Sequence, residues 1–370
     1  MINLVDLQRQ FQAIKEEVFR EIEGVYDSGQ YILGPKVVEL ETKIAEKIGV
    51  TDAVAVGNGT DALVMVLDAL GIGAGDEVIT SPFTFFASAE AISRVGATPV
   101  FADVDPSSFN LDPVKVEKAI TEKTKAIIPV HIFGQPADME EMNALAKKHG
   151  LTVIEDACQA FGASYKGKRA GSLADVACFS FFPTKNLGTI GDGGIITTSN
   201  AELAAKLRKL RMHGTSKKYY HDSIGYNSRL DEIHAAILLV VLERIDEWNG
   251  MRQAFADQYG RELASLKGLS CPAVSKDRTH IYHLYCLQSE KRDECLHLLQ
   301  ANSIASGVYY PQCLHLQEVY KSLGYSKGDF PAAEKLSDTL FAVPMHPFLY
   351  KEEQEKIIQT LKLAFGGEAK

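Results

Sequence analysis

The chain lacks the sequence features of secreted, disulfide-rich and membrane-spanning proteins. Its 370 residues include six cysteines without paired spacing, which argues against a zinc site or a disulfide framework and predicts a reducing compartment. The N-terminus has no charged start followed by the apolar core of a signal peptide. The longest apolar run, residues 235–242, is far shorter than the about 20 residues that span a bilayer. We therefore expect a soluble, cytoplasmic protein with no membrane partner.

Basic clusters and metal-ligand spacings are missing as well. The formal net charge is −9, and no block of lysine and arginine is interleaved with aromatic residues, so we expect no nucleic-acid partner. The histidines at positions 280, 283 and 297 do not combine with acidic residues at ligand spacing, which argues against a metal centre. The pattern Gly-x-Ser-x-Gly occurs once, at residues 324–328, but it does not follow an apolar strand pattern as the elbow of a hydrolase does, which argues against a hydrolase of that type.

Composition and residue pattern predict two domains. With 46% hydrophobic residues, a chain of this length can bury a large core. Helical and strand patterns alternate over residues 53–198, which is typical of an α/β domain with a mainly parallel sheet. Residues 6–26 are predicted to form an amphipathic helix, and residues 231–266 a long, nearly unbroken helical stretch. We place a large α/β domain at residues 1–250 and a smaller α+β domain at 251–370.

The most informative segment surrounds Lys185. Residues 179–187, Phe-Ser-Phe-Phe-Pro-Thr-Lys-Asn-Leu, put this lysine between a short aromatic strand and the glycine-rich turn 191–194. A lysine that forms an imine must be partly desolvated and lose its proton readily, and glycines let the backbone pass close to a flat bound group. The segment indicates a Schiff base with pyridoxal phosphate; a lysine in an ordinary loop between two strands is the alternative.

A second segment places an acid where such a cofactor needs one. Residues 151–159, Leu-Thr-Val-Ile-Glu-Asp-Ala-Cys-Gln, contain an apolar run that ends in two carboxylates, and strands of a parallel sheet deliver functional side chains at their carboxyl ends. Asp156 is suited to keep the pyridine nitrogen protonated, which makes the ring an electron sink. Gln159 is suited to hydrogen-bond the ring hydroxyl group. An aspartate that caps the next turn is the alternative.

A third segment has the pattern of a strand, a glycine turn and the start of a helix. In residues 54–63, Val-Ala-Val-Gly-Asn-Gly-Thr-Asp-Ala-Leu, the free N–H groups of Thr60 and Asp61 and the helix dipole favour an anion such as phosphate. No Gly-Lys-Ser/Thr follows and the third glycine of the dinucleotide fingerprint is missing, so both of those nucleotide motifs are excluded. A capped helix after a turn explains the pattern equally well.

Together these segments resemble the DegT/DnrJ/EryC1/StrS family of sugar aminotransferases, within the aspartate-aminotransferase (type I) fold. The similarity covers nearly the whole chain, and its further motifs lie at residues 30–35, 75–79, 225–231 and 344–347. The resemblance implies a large domain with a mainly parallel seven-stranded sheet and a small C-terminal α+β domain. It also implies a homodimer with shared active sites.

The resemblance assigns roles to particular residues. Lys185 is expected to form the Schiff base and then to act as general acid and base. Asp156 would pair with the pyridine nitrogen, and Gln159 would contact the ring oxygen. The other cofactor contacts would be Phe85 on the ring face, Gly59, Thr60, Asp61 and Ser180 at the phosphate, and Asn227 reaching that phosphate from the partner subunit. The substrate side would comprise Tyr31, His213, Arg229, Tyr309 and Tyr310.

Three positions depart from the family pattern. Cys158 occupies a position where alanine is common, and we expect a small buried hydrophobe rather than a second nucleophile. His234 replaces a common glutamine. Tyr309 stands where many members carry histidine before Tyr-Pro, which changes a position expected to border the sugar. Relatives that catalyse 3-dehydration carry histidine in place of the lysine, whereas this chain has Lys185.

The implied activity is a transamination in two halves, giving an aminosugar for glycan or antibiotic biosynthesis. L-Glutamate would provide the amino group, and a keto sugar carried on a nucleotide diphosphate would receive it. Residues 30–35 and 227–230 resemble members that act on 3-oxo sugars more than those that act on 4-oxo sugars. Because the chain is acidic, local cations such as Lys217, Lys218 and Arg229 would have to bind the anionic substrate. The alternatives are a keto-cyclitol or sugar-phosphate aminotransferase and a non-enzymatic, regulatory protein that binds pyridoxal phosphate.

Overall fold

A seven-stranded sheet positions the segments singled out above. The computed structural model describes residues 1–366; the last four residues of the predicted second domain, 367–370, lie outside it. The strands are β1 (Asp52–Val56), β2 (Glu77–Thr80), β3 (Thr98–Phe101), β4 (Thr124–Ile128), β5 (Thr152–Asp156), β6 (Ser164–Tyr165), β7 (Lys168–Arg169), β8 (Val176–Ser180), β9 (Gly194–Thr198), β10 (Thr215–Lys217), β11 (Tyr220–His221), β12 (Tyr285–Gln288) and β13 (Leu340–Val343).

The helices surround this sheet and continue into the C-terminal part. They are α1 (Leu7–Ser28), α2 (Pro35–Ile48), α3 (Gly59–Ala69), α4 (Ala87–Arg94), α5 (Pro113–Ala119), α6 (Met139–His149), α7 (Ala201–Leu210), α8 (Glu232–Leu242), α9 (Ile245–Leu263), α10 (Arg292–Ala301), α11 (Pro331–Thr339) and α12 (Lys351–Ala364). Short 3-10 helices lie at Ile132–Gly134, Leu314–Leu316 and Glu318–Leu323. Within residues 1–366, no helix is long and apolar enough to cross a bilayer.

The large sheet has the strand order β1-β9-β8-β5-β4-β2-β3. Strand β9 runs antiparallel to both of its neighbours, and the other neighbouring strands pair in parallel. The predicted mainly parallel, seven-stranded sheet is thereby confirmed. Because β9 runs in the opposite direction, its first residue, Gly194, lies at the same edge as the last residues of the parallel strands.

Side chains of the central strands alternate between two cores. In β1, Val54 and Val56 pack with α3 and α7 on one face, whereas Ala53 and Ala55 pack with α1, α2 and α8 on the other. This alternation follows from the two-residue period of a strand. Burial on both faces explains why these strands read as almost continuous apolar runs.

The long, nearly unbroken helical stretch predicted at residues 231–266 is confirmed, with one short break. Helix α8 ends at Leu242 and α9 begins at Ile245. At the break, the guanidinium of Arg244 donates to the Val240 carbonyl at 2.9 Å and to Glu17 Oε2 of α1 at 2.6 Å. These bonds fix Arg244 at the break, and the sequence pattern of the segment does not reveal them.

The N-terminal helix packs within its own chain. The buried residues of α1 include Ile14, Val18 and Val25, and the helix lies against α8. Its other face leaves the large side chains of Phe19 and Tyr26 exposed. The predicted amphipathic helix is therefore confirmed at Leu7–Ser28.

The C-terminal part contains both helices and strands, as predicted for a small α+β domain. Strands β12 and β13 form an antiparallel pair, and α10 and α12 pack together over a core that includes Tyr285 and Leu299. Helix α9 crosses the predicted domain boundary between residues 250 and 251, and the boundary itself stays a prediction.

Candidate active site

The carboxyl edge of the parallel strands brings the three informative segments together. Strand β5 ends at Asp156 and β8 ends at Ser180, while β1 is followed by Gly57 and the start of α3. Polar residues that follow parallel strands meet at one edge of the sheet. We refer to Gly59, Asp156, Gln159, Ser180 and Lys185 as the Lys185 cluster.

A tight loop after β8 presents Lys185. The backbone N–H of Lys185 donates to the Phe182 carbonyl at 2.8 Å. A Cβ added at Gly188 would lie 2.7 Å from the Pro183 carbonyl oxygen, so the loop closes only around a glycine. Next to the lysine, the buried Asn186 donates to Asn249 Oδ1 at 2.8 Å and ties the loop to α9.

Burial changes the acidity of the lysine. Lys185 is half-buried, and burial lowers the pKa of its amino group, against the opposing influence of Cys158 and Asp156. A low dielectric disfavours the ammonium form. The amine is thus closer to the uncharged form that a nucleophile and base requires.

Asp156 is held from several sides. The residue is 6% exposed, its Oδ2 accepts a hydrogen bond from the Ser88 hydroxyl at 2.8 Å, and its Oδ1 accepts from the Cys158 N–H at 3.3 Å. Its backbone carbonyl also accepts from the His131 N–H at 3.0 Å. An oriented, buried carboxylate of this kind is suited to face a protonated ring nitrogen.

Glu155, the residue before Asp156, has a structural role. Glu155 is fully buried and accepts hydrogen bonds from His131 Nε2 at 2.9 Å and from the backbone N–H groups of Gly171, Leu173 and Ala174 at 2.7–3.0 Å. Neighbouring side chains of a strand point to opposite faces. The two carboxylates at the end of β5 therefore have different surroundings and different uses.

The N-terminus of α3 lies next to Ser180 and contributes Gly59 to the cluster. A Cβ added at Gly59 would lie 2.7 Å from Ser180 Cβ and 3.1 Å from Cys158 Sγ, so only glycine lets this helix end approach β8. The N–H groups of Gly59 and Thr60 belong to the first turn, which has no acceptors within the helix. The backbone N–H of Asp61 is already donated to the capping Asn58 Oδ1 at 2.8 Å.

This bond corrects one detail of the sequence interpretation. Asp61 was expected to offer its N–H to an anion, but a side-chain N-cap commonly takes the N–H of the third helical residue. The Asp61 carboxylate in turn accepts from the Ser228 hydroxyl at 2.7 Å, and the Ser228 oxygen accepts from the Gly57 N–H at 3.0 Å. Residues 225–231 are thereby fixed to the glycine turn.

Gln159 connects the cluster to the predicted substrate side. Its Oε1 accepts from the Phe133 N–H at 2.7 Å, and its Nε2 donates to the Tyr310 hydroxyl at 3.1 Å. The Tyr310 ring lies 6.3 Å from the ring of Phe85, which is 58% exposed. Phe85 is therefore free to cover a flat ligand, whereas its neighbour Phe83 is a core residue.

The remaining predicted site residues lie outside this network. Within residues 1–366, no side-chain hydrogen bond or ion pair joins them to the Lys185 cluster. We refer to them as the outer set, which comprises Tyr31, His213, Asn227 and Arg229. Tyr309 borders the cluster through its neighbour Tyr310, with the two rings 6.0 Å apart.

The departures from the family pattern have simple surroundings. Cys158 is half-buried, and burial raises the pKa of its thiol well above the usual range, which disfavours the nucleophilic thiolate. His234 Nδ1 lies 2.7 Å from Asp231 Oδ2, and its ring fills the space above Gly191.

Sequence reasoning missed Ser88, Thr84 and His131. Ser88 and His131 donate hydrogen bonds to Asp156, and Thr84 contacts Ser88. No spacing rule identifies them, because their partners are far away in sequence. A hydroxyl at the third residue after Phe85 was the only signal for Ser88. Metal-binding groups of three or more histidine, cysteine or acidic residues are absent from the part of the chain that the structure describes.

The residues present fit pyridoxal phosphate. Lys185 would supply an amine for its aldehyde, Asp156 an acceptor for its ring N–H, and the α3 N-terminus with Ser180 a phosphate site. Because position 59 is glycine, the N-terminus of α3 can approach Ser180, which brings the two parts of this phosphate site together. Fold and site thus define the class of type I enzymes that bind pyridoxal phosphate through a lysine.

The chain belongs to the DegT/DnrJ/EryC1/StrS aminotransferase family, which matches residues 12–362. It is 49% identical to the pleiotropic regulatory protein of Geobacillus stearothermophilus, with 97% of both chains covered. It is 44% identical to the UDP-2-acetamido-2-deoxy-3-oxo-D-glucuronate aminotransferase of Pseudomonas aeruginosa, over 94% of this chain and 96% of the relative. The crystal structure of Streptomyces venezuelae DesV in complex with a ketimine intermediate is 41% identical, with a TM-score of 0.97 and 99% of each chain covered.

These similarities confirm the predicted family, fold class and enzyme class. Members of this family and its solved structures are aminotransferases that use pyridoxal phosphate, which confirms the predicted cofactor. The roles of the individual residues stay predictions.

Proposed function

We propose that this protein is a pyridoxal phosphate-dependent aminotransferase that transfers the amino group of L-glutamate to a nucleotide-linked 3-oxo sugar, giving an aminosugar. The observation that carries the proposal is the Lys185 cluster. It combines a partly desolvated lysine, an oriented buried aspartate and a helix N-terminus that only glycine can bring close to Ser180.

Each part of the cluster has a chemical task. When bound, pyridoxal phosphate supplies an aldehyde carbon that can carry an amino group and a ring that withdraws electrons from the reacting carbon. Lys185 supplies an uncharged amine, the form that attacks a carbonyl carbon and accepts a proton. Asp156 holds a proton on the ring nitrogen, and Ser180 and the first N–H groups of α3 hold the phosphate.

The preference for a 3-oxo sugar has two supports. Residues 30–35 and 227–230 carry the pattern expected of enzymes for 3-oxo sugars, and the Pseudomonas aeruginosa relative is named for a 3-oxo substrate. The diphosphate of such a substrate needs cations. Lys217 and Lys218 lie on the exposed β10–β11 hairpin, and Arg229 lies in the segment that Ser228 fixes to α3.

The proposed homodimer is supported by an exposed apolar surface beside the active-site loop. Phe19 and Tyr26 of α1 are 60% and 62% exposed, and Ile190 of the Lys185 loop is 53% exposed. A contiguous apolar face of this kind marks a protein–protein interface. A second copy seated there would cover the loop and bring the outer set of one chain towards the cluster of the other.

The cysteines agree with a cytoplasmic location. All six are unpaired, and free thiols of this number are typical of a reducing compartment. Cys178, Cys286, Cys295 and Cys313 are buried, where they act as small apolar side chains.

The test is a substrate panel. Purified protein loaded with pyridoxal phosphate is incubated with L-glutamate and with UDP- and dTDP-linked 3-oxo and 4-oxo sugars, and aminosugar and 2-oxoglutarate are quantified. We expect both products from the 3-oxo sugars, and inhibition by free nucleoside diphosphate. Product only from 4-oxo sugars would overturn the regiochemistry, and product only from a free keto-cyclitol or a sugar phosphate would overturn the nucleotide-linked substrate.

A regulatory role is the second candidate, because the Geobacillus stearothermophilus relative is named as a regulatory protein. A pure regulator has no need of a desolvated Lys185 or of the Gly59–Ser180 approach. The two roles separate in a half-reaction with L-glutamate alone. Formation of 2-oxoglutarate and pyridoxamine phosphate supports the enzyme, and cofactor binding with no amino transfer from any donor supports the regulator.

A further inference from the structure

We propose that Ser88 is a positioning residue for Asp156, and that Thr84 in turn orients Ser88. The proposal rests on the proposed function, since it concerns the acid that faces the cofactor ring. It adds two hydroxyl groups, from the segment after β2, to the machinery of the site.

The contacts form a short chain of side chains behind the aspartate. The Ser88 hydroxyl lies 2.8 Å from Asp156 Oδ2, and the Thr84 hydroxyl lies 3.3 Å from the Ser88 hydroxyl. Ser88 is 1% exposed and Thr84 is 2% exposed. Buried hydroxyl groups must find partners inside the protein, because an unpaired buried donor or acceptor loses its hydrogen bonds to water without compensation.

The chemistry of the acceptor sets the direction of this chain. An ionised carboxylate can only accept, so Ser88 must give its single proton to Asp156. The Ser88 oxygen then has only lone pairs to offer, and Thr84 is the donor in the second bond. The order of donation is therefore Thr84 to Ser88 to Asp156.

Hydrogen bonds to a charged acceptor are the stronger kind. With the Cys158 N–H on Oδ1 and Ser88 on Oδ2, each oxygen of the carboxylate has one donor from the protein. These two bonds fix the rotation of the carboxylate group. The fixed carboxylate then determines the direction from which a ring nitrogen can approach Asp156.

Ser88 also connects the acid to the predicted ring-stacking residue. Its backbone N–H donates to the Phe85 carbonyl at 3.3 Å in the turn that starts α4. A single residue thus contacts Phe85 through its backbone and Asp156 through its side chain. Ser88 therefore fixes the positions of Phe85 and Asp156 relative to each other, and these are the residues expected at the face and at the nitrogen of the cofactor ring.

Another serine of the same helix shows what an ordinary structural role looks like. The hydroxyl of Ser93 donates to the carbonyl of Ala89, four residues earlier, at 3.2 Å. This back-bonding is the common behaviour of a serine within a helix. The Ser93 hydroxyl also lies 3.3 Å from the Tyr320 hydroxyl, but neither of these partners belongs to the Lys185 cluster. The Ser88 hydroxyl instead donates to Asp156 of the cluster. Ser93 is therefore a control for removing a serine hydroxyl of α4 that does not contact the cluster, although Ser93 is exposed and Ser88 is buried.

The experiment compares Ser88→Ala, Ser88→Cys, Thr84→Val and Ser93→Ala with the wild type. Ser88→Cys nearly keeps the volume but has only a weak donor, and Thr84→Val keeps the shape without the hydroxyl. Thermal unfolding first verifies that each cofactor-free variant is folded. Affinity for pyridoxal phosphate is then measured by titration of the visible absorbance, and kcat and KM are measured with L-glutamate.

Both Ser88 variants are expected to bind pyridoxal phosphate about tenfold more weakly, the effect of losing a bond to a charged group. They should lower kcat with little change in KM for L-glutamate, and Thr84→Val should show a smaller effect in the same direction. Ser93→Ala should match the wild type.

Cofactor affinity and kcat of folded Ser88→Ala and Ser88→Cys equal to those of Ser93→Ala would overturn the proposal. A loss in Ser88→Ala alone, with Ser88→Cys like the wild type, would assign the effect to packing and overturn it too. Failure of the wild type itself to bind the cofactor would instead reject the proposed function.

Discussion

The Lys185 cluster and the outer set differ in how the chain holds them. Asp156 and Gln159 of the cluster are held by hydrogen bonds from the buried residues Ser88 and Phe133. In the outer set, Tyr31 is 46% exposed, and His213 and Asn227 are exposed as well. The difference supports the proposal that the cofactor contacts come from one chain, while the substrate contacts are completed by a second copy and by the sugar.

The largest effect is expected from Lys185→Ala. Without the amine, both the bond to the cofactor and the proton transfer are lost, so turnover should fall by at least about 10⁴-fold. The visible absorbance of the lysine-bound cofactor should disappear. The control is Lys267→Ala, at an exposed position, which should keep both. Residual turnover within tenfold of the wild type would contradict this distinction between the cluster and the outer set, because the catalytic amine would then lie elsewhere.

A smaller but still large effect is expected from Asp156→Asn. An amide cannot stabilise a protonated ring nitrogen as a carboxylate does, and loss of a preorganised charge typically reduces kcat by about 10²-fold. The matched control is Asp175→Asn at the opposite end of β5 and β8, where Asp175 accepts from the Val153 N–H at 3.0 Å. Steady-state kinetics with L-glutamate should show a loss for the first variant alone; an equal loss in both would assign it to folding.

The outer set should affect substrate binding and not the cofactor. Arg229→Ala removes a cation without touching the cluster, so KM for the nucleotide sugar should rise by about tenfold, the size of one charged hydrogen bond. The affinity for pyridoxal phosphate should not change. Arg261→Ala on α9, which is exposed, serves as the control. A weakened cofactor with an unchanged KM would show that the two regions are not separate.

The smallest expected effect is a pH dependence of stability in the cofactor-free protein. Because burial lowers the pKa of Lys185 in the folded state from its ordinary 10.5, the unfolded chain binds more protons between the lowered value and 10.5. Stability contributed by this residue therefore rises with pH across that window. Denaturation curves of the wild type and Lys185→Met should diverge accordingly. Parallel curves would mean that the lysine is not desolvated.

The same contrast explains what the sequence could reveal. Strand β5 ends in Asp156 as the pattern predicted, because apolar runs and strand ends are local features. The position of the short break between α8 and α9 was not predicted, and at this break Arg244 contacts Glu17, which is far away in sequence. Ser88 and the structural role of Glu155 were missed for the same reason. Their partners are brought together by topology, which local patterns do not encode.

The Asp61 correction is instructive in another way. The glycine turn and helix start were predicted correctly, but the capping Asn58 claims one of the N–H groups that the helix was expected to offer. A sequence pattern can indicate an anion site without revealing how many of its donors are already occupied. The number of free N–H groups can be counted only once the position of the Asn58 side chain is known.

The most direct test of the central claim is to reduce the cofactor-loaded protein with borohydride and to map the labelled peptide by mass spectrometry. Reduction converts a Schiff base between lysine and pyridoxal phosphate into a stable secondary amine. The account predicts one phosphopyridoxyl group per chain, located on Lys185. A label on any other lysine, or no label in protein that binds the cofactor, would contradict it.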